Sequence, residues 1–143
     1  MLRNTAHMKM KLLLTGITAT MMFTLPAMAE EENALGQQME AMNDAYKAMR
    51  RETDPAKGAA LAREAQEAMV KALMETPELV KAMPEADQPK ASAEYRKMIA
   101  HLISTLADME LAFLSNDMAK VQEIVKAMRD SKKEGHNKFM EDE

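Results

Sequence analysis

The stretch YRKMIAHLISTLADMELAF, residues 95–113, decides the fold. Its apolar positions Tyr95, Ile99, Leu102, Leu106, Met109 and Phe113 recur with the spacing 4-3-4-3-4, which on a 3.6-residue helix draws one continuous buried stripe. A strand cannot produce that repeat, because its alternate residues face the same side. The pattern predicts a helix from near Ala91 or Ser92 to Leu114. Downstream, Ser115-Asn116-Asp117 reads as a tight turn with an N-cap. A last helix then turns Met118, Val121, Val125, Met128 and Phe139 inward.

Upstream, the segment from Pro77 to Pro89 is the longest connection and carries three prolines. Within it, Leu79, Val80 and Met83 are expected to form a short turn that caps the core. Before it lies a helix with Asp54 as N-cap and Pro55 at its first position, running to about Glu75 with Leu61, Ala65, Ala68, Met69, Ala72 and Leu73 inward. Thr76-Pro77 interrupts it. The first helix is expected from about Asn33 to Glu52, its stripe made by Leu35, Met39, Met42, Tyr46 and Met49. Four helices with three stops and no strand-like alternation predict an all-α, antiparallel up-down-up-down four-helix bundle.

Residues 1–29 read as a cleaved secretory signal. Arg3, Lys9 and Lys11 form a basic start, Leu12 to Leu25 is mostly apolar, and Ala27-Met28-Ala29 is a small-residue exit followed by Glu30-Glu31-Glu32. The apolar run falls short of the roughly 20 residues that a membrane-spanning helix needs. Cleavage after Ala29 leaves one domain, residues 30–143, of 114 residues, enough for a single core. The start codon is open among Met1, Met8 and Met10, and the compartment reads as a bacterial periplasm.

Three of the nineteen basic residues precede residue 30 and all twenty-three acidic ones follow it, so the mature chain carries a net charge of −7. That disfavours nucleic acid, whose phosphates call for clustered Lys and Arg. It leads us to expect a basic or weakly complementary protein partner. A chain without cysteine has neither a disulfide framework nor the thioether attachment of a c-type haem. No arrangement of acid, base and nucleophile marks an enzyme. No membrane span is expected after cleavage, and the protein is expected to be a monomer.

Two residues far apart in sequence stand out. Met39 falls about six residues into the first helix and His136 about six before the end of the last, so each lies roughly 9 Å from the same end of the bundle at 1.5 Å per residue. On helical geometry His136 projects within about 60° of the centre of its helix's apolar stripe, whereas His101 lies about 100° off its own. A thioether would then face an imidazole at one level, with Leu35, Met42, Tyr95, Met98 and Ile99 nearby. Each residue also has a plainer reading. Histidine near a helix C-terminus is favoured there as a cation, and methionine fills irregular core gaps.

The run Leu35-Gly36-Gln37-Gln38-Met39-Glu40-Ala41-Met42-Asn43-Asp44 resembles the opening helix of the soluble periplasmic cytochrome b562 family. The segment from Met128 through His136-Asn137-Lys138-Phe139 is similar to that family's last helix, and the Thr76-Pro77 break and Tyr95-Arg96 also fit. The resemblance implies electron transfer through one non-covalent haem b per chain. It implies Met39 and His136 as axial ligands, and Leu35, Met42, Tyr95, Met98 and Ile99 as the lining. It further implies periplasmic redox proteins as partners. One departure is Ile99, an aliphatic residue where a ring is expected. Another bears on attachment: residues 132–136 read Lys-Lys-Glu-Gly-His where the related cytochromes c′ carry Cys-x-x-Cys-His, which fits non-covalent haem. Lys132 and Arg96 are candidates to approach haem propionates, or are solvated helix charges.

Two other classes compete. A Met-rich periplasmic Cu(I) protein would use Met39, Met42 and Met49 as soft ligands on one face. A cofactor-free helical binding module would instead need a large exposed apolar patch.

Overall fold

The structure is a computed structural model that describes residues 28–139, with side chains described from residue 34 onward. The expected signal peptide lies almost wholly in residues 1–27, outside the described residues. Five helices follow one another: α1 (Met28–Met49), α2 (Pro55–Ala72), α3 (Glu78–Lys81), α4 (Gln88–Leu114) and α5 (Met118–Phe139). Among the described residues there is no strand. Four long helices form the antiparallel bundle, and α3 is the short turn expected between the second and third of them.

Local chemistry accounts for most of the boundaries. Asp54 caps α2 by accepting a 2.9 Å hydrogen bond from the Lys57 amide, and Pro55 takes the first helical position, where no amide is needed. Asp117 caps α5 in the same way, accepting from the Lys120 amide at 2.9 Å. Asn116 before it turns the chain with a positive φ of 54°. Helix α1 spans Met28–Met49 rather than Asn33 to Glu52, so Met39 lies eleven residues into it and not six, and two further boundaries differ from expectation. Helix α4 begins at Gln88 rather than near Ala91, because Pro89 sits in its first turn and so costs no backbone hydrogen bond. Helix α2 ends at Ala72 rather than Glu75, with Leu73 as its C-cap.

Methionine and alanine build the core. Met49, Met69, Leu106, Met109, Phe113 and Val121 are completely enclosed. Helix α2 turns Ala59, Ala62, Ala65, Ala68 and Ala72 inward. This small-residue face lets α1 and α4 approach closely, and these are the tightest helix pairs of the bundle. At the head of α2, Gly58 faces the Phe113 ring so closely that a Cβ there would overlap the ring. Val80 of α3 plugs the core and is fully buried. Across the outer α2–α4 seam, Arg63 pairs with Glu110, and Gln66 donates to the same carboxylate at 2.8 Å. These donors hold the Glu110 carboxyl below its ordinary pKa.

The apolar partition is less clean than the stripes suggest. Val70 on α2, Met74 in the turn after it, and Leu111 and Leu114 on α4 are exposed. Since α2 and α4 run antiparallel, the two pairs sit toward opposite ends and do not merge into one patch.

Gly58→Ala tests the close packing. Alanine gains about 1 kcal/mol in helix propensity, but forcing a methyl into the Phe113 ring costs roughly 1–3 kcal/mol. Urea denaturation should therefore show net destabilisation, and a more stable variant would refute the contact.

Candidate functional site

The first and last of the described helices, α1 and α5, run side by side along one edge of the bundle. This edge is not among the closely packed helix pairs. Two polar contacts span it. The Tyr46 hydroxyl donates to the Val125 carbonyl at 3.3 Å, and Lys132 Nζ donates to Asn43 Oδ1 at 2.7 Å. The second contact sets the register. Asn43 lies one turn after Met39 and Lys132 one turn before His136, so in antiparallel helices Met39 and His136 stand at the same level.

Helix α4 holds the other flank of α5 through three neighbouring contacts. Tyr95 and Phe139 meet edge to face with ring centroids 5.6 Å apart. Lys138 pairs with Glu94 at 2.9 Å, which lowers the Glu94 pKa. Gly135 leaves room for Met98, whose thioether sulfur would lie 3.2 Å from an added Cβ. Sequence reading missed Asn43 as a clasp and Gly135 as a hole. A glycine inside a helical pattern was the available signal for the second.

These contacts decide where each candidate residue lies. Met42, Tyr95 and Ile99 are buried in the core, and Leu35, Met39 and Met98 are half-buried against it. His136 is exposed and makes no hydrogen bond, ion pair or ring contact among the described residues. The expectation that it projects inward is thus corrected. With Gly135 and Phe139 turned to α4, the next position along points to the rim of the α1–α5 edge. Tyr95 is also more committed than expected, because its hydroxyl donates to the Ala72 carbonyl at 2.8 Å. That side chain ties α4 to α2 and α5. Arg96 and His101 are exposed. The three thioethers of the soft-metal reading do not share an accessible face, since Met49 is enclosed.

The donor set suits an iron porphyrin. A half-buried thioether and an unencumbered imidazole stand level on two helices that do not pack tightly, with apolar Leu35, Met42 and Met98 behind them. Two such ligands suit a six-coordinate iron. Among the described residues no cluster of His, Cys, Asp and Glu could hold a bare metal ion, and no helix is long and apolar enough to cross a membrane.

The fold is that of an antiparallel four-helix bundle with ligand-type side chains on the two helices of its loosest edge. The family model described as cytochrome b562 matches residues 34–140, and the chain belongs to that family. It is a family of b-type haem electron carriers, periplasmic in general, that bind haem without covalent attachment. No curated protein and no solved structure matches the chain.

Burial raises the Tyr95 hydroxyl to about 12, with Glu75 adding to the shift. The fold therefore favours neutral Tyr95. Its contribution is intact below about pH 10, where an unfolded tyrosine begins to ionise, and is lost as pH rises through the folded value. Tyr95→Phe should cost about 1 kcal/mol at neutral pH through the lost hydrogen bond. It should also flatten the decline in stability between roughly pH 10 and 12. Urea melts across that range check both effects.

Proposed function

We propose that this protein is a periplasmic electron carrier that holds one haem b through Met39 and His136, exported by a signal peptide cleaved after Ala29. The observation that carries this reading is the Lys132–Asn43 hydrogen bond, because it brings the two ligand-type residues to one level. Family membership supports it independently.

Bound there, haem supplies a one-electron couple. The chain supplies the rest. The Met39 thioether favours the reduced metal and raises the potential relative to two imidazoles. His136 offers a strong nitrogen donor with no competing internal partner. Leu35, Met42 and Met98 exclude water from the inner side of the site. The close packing of α2 against α4 would resist rearrangement on electron transfer and so keep reorganisation small. With Met39 and His136 both engaged in holding the group, no open position would be left for substrate.

The test is a haemin titration of the purified mature protein followed by reduction with dithionite. Wild type should bind one equivalent with sharp low-spin α and β bands. Met39→Ala and His136→Ala should each lose those bands or turn high-spin. A spectrum indifferent to both substitutions would sink the ligand assignment, and absence of stoichiometric binding would sink the function. Cu(I) competition on the same sample separates the soft-metal reading.

A further inference from the structure

The net charge of the mature chain is −7, yet the edge that carries His136 is basic. On α5, Lys126, Arg129, Lys132, Lys133 and His136 project into one sector of about 120°, taking 100° per residue. All five are exposed. The acidic residues of the same helix, Glu123, Asp130 and Glu134, point at least about 100° away from the centre of that sector. The sector faces toward α1, as the Lys132–Asn43 and Tyr46–Val125 bonds show. Across the seam Arg50 extends the strip, its guanidinium 5.8 Å above the Tyr46 ring.

A second observation concerns compensation. The ion pairs among the described residues are Lys47–Asp44, Arg63–Glu110, Lys81–Glu78, Lys120–Glu123 and Lys138–Glu94. None of them involves Arg50, Lys126, Arg129, Lys132 or Lys133. Lys132 instead donates to a neutral amide, so its charge stays unbalanced. Arg51, Lys57, Lys71, Lys90, Arg96 and Lys97 also stand outside these ion pairs, so what sets the strip apart is the gathering of its cations in one sector rather than their lack of carboxylates. On α1 the nearby acids are Glu40 and Asp44, and Asp44 is already paired with Lys47.

We propose that this α1–α5 strip is the docking surface for an acidic face of a partner protein. Local field, not net charge, orients an encounter at distances near the Debye length of about 10 Å. An acidic patch would be drawn to the strip and repelled by the remainder of the molecule. This reverses the basic partner expected from net charge alone. That the partner is a redox protein rests on the electron-transfer reading; the surface does not. The strip begins beside His136 and runs about 15 Å along α5, so a protein docked on it would lie next to the proposed haem edge.

The test uses poly-L-glutamate as the acidic probe, followed by amide NMR shifts of the mature protein with and without haem. Shifts should concentrate on residues 126–137 and around Asn43 and Arg50. Binding should weaken about tenfold or more between 20 and 200 mM salt. A variant carrying Lys126→Gln, Arg129→Gln and Lys133→Gln leaves the Lys132–Asn43 clasp in place and should abolish the localised shifts while the remaining spectrum stays native. Shifts scattered over the molecule, or unchanged in the variant, would overturn the proposal. So would binding that disappears on haem loading, because haem carboxylates would then be the strip's counterions. Localised binding in a protein that takes up no haem would leave the surface standing and remove the electron-transfer function instead.

Discussion

Everything in this bundle depends on how closely α2 allows its neighbours to come. Its inward face is alanine at Ala59, Ala62, Ala65, Ala68 and Ala72, with Met69 the one large side chain among them and Gly58 admitting the Phe113 ring. Small side chains bring backbones together and make α1, α2 and α4 a tight block. Helix α5 joins that block chiefly through α4. The consequence is an asymmetric bundle with three close seams and one loose one. A four-helix bundle of uniform leucine would have no such edge. Here the loose edge arises from packing that is good everywhere else, and it is the edge at which α1 and α5 present a thioether and an imidazole.

Placement of those two residues is achieved indirectly. Neither Met39 nor His136 is held by a bond of its own. The Lys132–Asn43 contact sets the sliding register of α5 against α1, and the Phe139, Lys138 and Gly135 contacts to α4 set its rotation. Register and rotation together fix both ligand-type residues without using their side chains. His136 thereby keeps its ring free of competing hydrogen bonds. The same rotation brings the basic residues of α5 to the rim, so the geometry of the site and the charge of its surroundings have one origin.

Much of the fold could be read from the sequence. The 4-3-4 stripes gave the four long helices, and Asp54, Pro55 and Asp117 marked two of their starts because capping is local chemistry. The start of α4 was misplaced because Pro89 was read as a breaker when it occupies the one turn that tolerates it. Site legibility was uneven. The equal depths expected for Met39 and His136 do not follow from the helix ends, since α1 begins at Met28 and α5 ends at Phe139; their shared level rests on the Lys132–Asn43 register instead. Which way His136 turns does not follow, since a residue about 60° from the stripe centre is resolved inward or outward only by the neighbours that a helix meets. Tyr95 shows the same limit. A tyrosine on an apolar stripe gives no sign that its hydroxyl will find the Ala72 carbonyl.

The methionine-rich interior has a chemical consequence under oxidising conditions. Thioethers turn to sulfoxides according to how easily an oxidant reaches them. Met49, Met69, Met109 and Met128 are 0–2% exposed, whereas Met74 is 82% exposed. An oxidant in bulk water therefore meets Met74 first, in the turn after α2, and can be consumed there without harm to the core. The half-buried methionines come next, Met39 among them with Met83, Met98 and Met118, and a Met39 sulfoxide would no longer be a soft sulfur donor. Oxidative ageing of this protein should thus pass through a silent stage before it reaches the site, with the exposed side chain serving as the early record of damage.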